Sequence, residues 1–224
     1  FASVHPLKKT KQYEESFSAA EKIASENGGK FHFFSHHRAH AANAFYSSNL
    51  NESLVLTIDG GGVEDENGGE TACTIWYGKD CSMKQLKSFK PYEVNIGGVW
   101  TRITRYVFKL QNGWPLGGEE GTVMAMAAFG DPQKYFKDFL KMLTTDIIAS
   151  SVKPHNQPPG ATSDSDPTHP YLEPWAAIAR KSEQDKFDLA AGLQLATEEL
   201  LKQIIQFALD KSPVKTKNVC ISGG

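Results

Sequence analysis

"SLVLTIDGGG", residues 53–62, is the stretch that decides the fold class. Leu54, Val55, Leu56 and Ile58 make a short apolar run, the length of a buried strand, and Asp59 with three following glycines closes it. A carboxylate at the end of a buried strand is well placed to meet a ligand or a metal ion, because glycines let other groups approach the backbone closely. The plainer reading is a turn: Asp-Gly is a frequent hairpin signal.

Working outward, "GGETACTIWYG" and "MKQLKSF" read as two more strands of a meander, with turns at Asn67-Gly68-Gly69 and Gly78-Lys79-Asp80. Upstream, residues 10–26 read as an amphipathic helix, with Tyr13, Phe17, Ala20 and Ile23 on one face and Asn27-Gly28-Gly29 as its stop. "KFHFF" reads as a short strand, and the alanine-rich residues 36–47 as a helix with Ser35 as its N-cap. Downstream, residues 99–110, 119–129 and 132–145 look helical, with "QNGWPLGG" between the first two. Residues 184–211 carry the clearest periodicity, with Leu193, Thr197, Leu200, Leu201, Ile204 and Ala208 on one face. Between them, residues 150–172 hold five prolines and few large apolar groups, and read as a surface loop. "NVCISGG" is a last strand entering a glycine turn. Helices and strands in this mixture predict an α/β fold.

The chain has 224 residues, 40% hydrophobic and 22% charged, ordinary for a globular protein with a real core. A net charge of −2 carries no polyanion-binding signature, so nucleic acid is not an expected partner. No apolar run reaches membrane-spanning length, and no leader pattern is visible. Three cysteines without a CxxC pair fit a reducing compartment, so a cytoplasmic location is expected. The chain opens on Phe1 rather than Met and stops just after a strand, which reads as a piece of a longer protein.

Three of the seven histidines, His36, His37 and His40, fall in "SHHRAHAANAFYSS", residues 35–48. On a helix His36 and His40 share a face with Cβ atoms about 5–6 Å apart, so their imidazoles can converge on one ion. His37 points about 100° away. A surface histidine cluster at a helix start is the competing reading; the positive end of the helix dipole favours neutral imidazole in either case. Asp59 as a third donor would complete a two-histidine, one-carboxylate set of the kind that binds iron or zinc with open positions. In "GGEEGTVMAMAAFGDP", residues 117–132, the glycines suit a phosphate cradle, but Glu119 and Glu120 would repel one; a tightly packed helix with acidic first-turn residues is the simpler reading. Lys8, Lys9 and Lys11 form a basic run of the solvated kind.

Taken in order, HHxxHAxxAFYxS, the apolar strand ending DGxG, EGxVMxxAxxG, "LAAGLQLATEELL" and "NVCISGG" resemble the O-carbamoyltransferase family of nodulation and antibiotic-tailoring enzymes, from about residue 31 onward. The resemblance implies an ASKHA fold, the actin, hexokinase and Hsp70 type, with residues 1–224 forming part of that domain. It implies a divalent metal, iron first and zinc or manganese otherwise, held by His36, His40 and Asp59; the family's further aspartate ligand comes from a later motif that this chain does not reach. Gly60, Gly61, Gly62, Glu120, Gly121, Ser222, Gly223 and Gly224 are the implied contacts for ATP or carbamoyl-adenylate, and His37 is the candidate general base. The implied reaction moves a carbamoyl group from carbamoyl-adenylate, made by another domain of the full protein, to a hydroxyl of a small-molecule acceptor. Departures are Thr122 for the family lysine, Ala125 for glycine, Ala128 for proline, and an extra residue before Glu64. Competing readings are a tRNA threonylcarbamoyl transferase, a phosphotransferase of the same superfamily, and a non-catalytic metal- or nucleotide-binding module.

Overall fold

The computed structural model describes residues 11–64, 70–91, 93–110, 118–144 and 171–223. They divide into two compact units, Phe1–Lys90 with Lys211–Gly224, and Pro91–Asp210. Mixed α/β structure is what the sequence predicts.

The first unit holds helices α1 (Lys11–Glu26) and α2 (His36–Ser47) and strands β1 (Glu52–Val63), β2 (Glu70–Lys79), β3 (Ser82–Phe89) and, from the far end of the chain, β4 (Val219–Ser222). The strands form one sheet in the order β3-β2-β1-β4; the meander β1-β2-β3 is antiparallel and β4 lies parallel to β1. The β2–β3 turn falls at Asp80-Cys81, with Asp80 at φ 51°. The expected turn at residues 67–69 lies outside the described residues.

Three local expectations change. The glycines after Asp59 make no turn: β1 continues through them to Val63. Ile58 pairs with Cys73 and Gly62 with Thr71, so Asp59, Gly60 and Gly61 face Ala72 alone across a bulge. Second, "KFHFF" joins no sheet. Phe31 and Phe33 turn back onto Phe17 of α1, with ring centroids 4.8 and 5.5 Å away. Aromatic packing replaces a ladder there, and Phe34 is left 64% exposed. The α1 face predicted from Ile23 is open at that residue, which is also largely exposed; the Tyr13 side chain lies outside the described part. Third, Ser35 precedes α2 as predicted but makes no side-chain cap to the helix.

The second unit is helical. α3 (Ile96–Arg102) runs into a π-helical turn (Ile103–Val107); α4 (Glu120–Met126) ends in a 3-10 turn (Ala127–Phe129). α5 (Phe136–Thr144), α6 (Glu173–Ala179) and the long α7 (Glu183–Lys211) complete it. Leu193, Thr197, Leu200, Ile204 and Ala208 of the predicted stripe are buried. Trp100 donates its indole N–H to Thr197 Oγ1 at 2.8 Å, and Thr197 passes its own proton to Leu193 O at 2.9 Å. Residues 111–117 and the proline-rich stretch up to residue 170 lie outside the described residues.

Candidate metal centre

Strand periodicity sets the stage. Val55, Thr57 and Asp59 alternate along β1, and their ladder partners Trp76 and Thr74 on β2 and Cys220 and Ser222 on β4 share the sheet face that meets α2. Helix α2 lays a matching stripe on it: His37, Ala41 and Phe45, four apart, are its buried residues. Ala41 and Phe45 pack with Val55, Trp76 and Cys220 in one core cluster. His37 meets the next rung, at Thr57. His36 and His40, on the neighbouring stripe of the helix, reach Asp59.

The three proposed ligands converge. His36 Nε2 lies 2.7 Å from Asp59 Oδ2, His40 Nε2 lies 3.3 Å from the same oxygen, and the two Nε2 atoms are 3.1 Å apart. These residues, 23 positions apart along the chain for His36 and Asp59, are a group of donors able to hold a metal ion among the described residues. Asp59 is aimed by its bulge, and its second oxygen is tied down by the Gly60 N–H at 2.6 Å. His40 Nδ1 sits 3.5 Å from Ser222 Oγ, so Ser222 stands behind a ligand candidate. The hydrogen bond to Asp59 raises His36 above its ordinary value against the pull of burial. Burial pushes Asp59 upward, but the hydrogen bonds from His36 and Gly60 and the histidine charges overrule it and hold the carboxyl low.

Room for His36 comes from Gly62. A Cβ there would stand 2.3 Å from His36 Cδ2. Gly223, at φ 142°, is equally constrained: a Cβ would meet Ile58 O at 1.6 Å. Gly62 thus makes room for a side chain and Gly223 for the β1 backbone. Gly60 and Gly61 lie in the bulge, and Gly224 is outside the described residues. Glu120 and Gly121 open α4 in the second unit. There Thr122 donates to Glu119 Oε2 at 2.8 Å and closes the first turn.

His37 does not occupy the position of a general base. It is fully buried. Nε2 is 2.7 Å from Thr71 O and Nδ1 is 2.6 Å from Thr57 Oγ1. The direction of the whole chain follows from chemistry. Thr71 O only accepts, so Nε2 carries the proton and the bare Nδ1 accepts from the Thr57 hydroxyl. Thr57 Oγ1 in turn lies 2.5 Å from Thr74 Oγ1, and Thr74 accepts from the donor-only indole of Trp76 at 2.6 Å. Every proton is used once. A second proton on His37 would reverse two hydroxyls and leave one without an acceptor in this chain. Burial lowers His37 to about 4.

Glu64 is the residue that sequence reasoning passed over. Its Oε1 accepts the His37 backbone N–H at 3.2 Å, the task expected of Ser35, whose own side chain bonds to Glu64. Burial raises Glu64 above the usual carboxylate range against these bonds. A cap reaching back from position 64 has no local signature. Thr57 could have been found: a hydroxyl in an apolar strand, on the same side as Asp59, asks for a buried polar partner.

A family model described as the carbamoyltransferase N-terminus matches residues 9–224. The chain belongs to this family. It is 28% identical over 198 residues to nodulation protein NolNO of Sinorhizobium fredii, covering 86% of this chain and 25% of that protein. It is 28% identical over 195 residues to nodulation protein NolO of Bradyrhizobium diazoefficiens, covering 84% and 30%. An uncharacterized protein of Synechocystis is 25% identical over 202 residues, covering 86% and 30%. This carbamoyltransferase-family chain thus spans less than a third of the length of these relatives. The family match begins earlier than the resemblance read from motifs, and takes in α1.

Proposed function

We propose that the chain forms part of an enzyme that transfers a carbamoyl group from carbamoyl-adenylate to a hydroxyl of a small-molecule acceptor. In this reading the chain is built on an ASKHA-type fold and works in the cytoplasm. His36, His40 and Asp59 hold its divalent metal, and a separate domain of the full protein supplies the carbamoyl-adenylate. Family membership supports the reaction class. The observation that carries the site is the spacing of its donors. Ligands bound at about 2.1 Å around one ion stand roughly 3.0–3.4 Å apart in octahedral or tetrahedral geometry; His40 Nε2 is at such distances from His36 Nε2, 3.1 Å, and from Asp59 Oδ2, 3.3 Å, while His36 and Asp59 are drawn to 2.7 Å by their own hydrogen bond. Two neutral imidazoles and a carboxylate suit iron, zinc or manganese.

When bound, the metal supplies Lewis-acid stabilisation of charge on a carbamoyl or phosphate oxygen. The protein's part is placement. Asp59 offers one oxygen while Gly60 holds the other. Ser222 Oγ is placed to accept from His40 when Nδ1 carries the proton, the tautomer that leaves Nε2 bare for ligation. The acceptor's proton must leave by a group other than His37, whose nitrogens are both committed inside the sheet.

Anaerobically purified wild type is expected to carry close to one Fe, Zn or Mn per chain by elemental analysis, and His40→Ala far less. Equal, near-zero contents would end the metal reading. Incubating the full-length protein with ATP and carbamoyl phosphate should give adenylate formation and a carbamoylated acceptor; their absence would favour a non-catalytic module.

A further inference from the structure

We propose that His37 is a positioning residue: its two ring nitrogens tie α2 to β1 through Thr57 and to β2 through Thr71, and so set where His36 and His40 stand against Asp59. The inference rests on the metal reading above for its consequence, but its geometry is independent of any ion. Towards its C-terminal end α2 is held on the sheet by apolar contacts of Ala41 and Phe45. Apolar contact is non-directional and lets a helix slide or roll by a fraction of an ångström. At the ligand end the packing is polar and directional. His37 is clamped between two partners at 2.6 and 2.7 Å on neighbouring strands, and the Thr57 end of the clamp is itself held by Thr74 and Trp76. Because the indole only donates and the Thr71 carbonyl only accepts, the chain has one proton arrangement and α2 one seat. His36 precedes His37 directly and His40 follows it by three residues, so a shift of this seat moves both candidate ligands together. His37 thus lies behind the centre as an anchor and touches no reacting atom.

Thr57 gives the clean test, because His37 variants could fail to fold. Thr57→Val keeps the volume and removes the hydroxyl; Thr57→Ser keeps the hydroxyl and removes a methyl. Co2+ is titrated into each metal-free chain and followed by its visible absorption. Thr57→Val should bind Co2+ at least tenfold more weakly than wild type, within the roughly 10–100-fold range of outer-partner changes, with an altered ligand-field spectrum. Thr57→Ser should stay within about twofold of wild type with an unchanged spectrum. Amide exchange at Ala39 and His40 in the metal-free proteins should be faster in Thr57→Val alone. Val binding as wild type does, or Ser losing as much as Val, overturns the proposal, since a volume-filling role predicts that order. A wild type that takes up no Co2+ defeats the metal reading, and amide exchange then decides the clamp: acceleration confined to Thr57→Val supports it, and any other order overturns it.

Discussion

A methyl group on Gly62 is the smallest change able to disturb the centre. It would stand 2.3 Å from His36 Cδ2 and 2.8 Å from its Cβ, so the ring cannot evade it by a terminal torsion. Gly62→Ala should lower Co2+ affinity at least tenfold, the range for disturbed ligand placement, and cost about 1–3 kcal/mol through overpacking. Gly121→Ala is the contrast: nothing lies within 4 Å of its added carbon, and alanine is the better helix former. Calorimetric metal titration and urea denaturation of both variants decide it; unchanged metal affinity in Gly62→Ala would refute the steric role. The residue types at the centre were readable from the sequence. Their division of labour was not: Gly62 sits in a run of three identical glycines, and only contact with His36 separates it from its neighbours.

At the scale of elements, α2 starts where Ser35 predicts but is capped by Glu64. Removing a cap of this kind costs about 1 kcal/mol. Glu64→Ala should therefore destabilise the chain by that order and speed amide exchange in the first turn of α2, with Ser35→Ala costing less. A larger loss from Ser35→Ala would restore the local cap that the sequence suggests. The bulge in β1 follows the same logic. Asp-Gly-Gly-Gly is compatible with a turn or with an irregular strand, and local propensity cannot choose between them. Pairing of Gly62 with Thr71 and Val63 with Glu70 keeps the chain in the sheet, and the bulge turns Asp59 toward the helix. "KFHFF" shows the reverse: its aromatic residues have strand propensity, yet Phe17 of α1 takes up Phe31 and Phe33.

For the whole molecule, the buried histidine links stability to pH. His37 titrates near 6.5 when unfolded and at about 4 when folded. Well above pH 6.5 it is neutral in both states. As pH falls toward 4, the unfolded chain takes up a proton that the folded chain refuses, so stability drops, approaching about 1.4 kcal/mol per pH unit. His36, raised by Asp59, has the opposite sign: its contribution is full below its unfolded value and lost as pH rises through its folded one. Urea midpoints of the metal-free chain between pH 7 and 4.5 should fall with acid; midpoints that hold steady or rise over that range would rule out His37 as the dominant group. No described helix is long and apolar enough to cross a membrane. The sequence by itself determined the helices α1, α2 and α7, the three-strand meander, the final strand and the residue types of the candidate centre, because periodicity, turn residues and residue chemistry act over a few positions. Tertiary structure alone decided that Ser222, 182 residues from His40, stands behind it, that Glu64 caps α2, and that His37 faces inward. Those outcomes depend on which sheet face a helix covers and in what register, and that register is set by strand pairings between residues far apart in the chain.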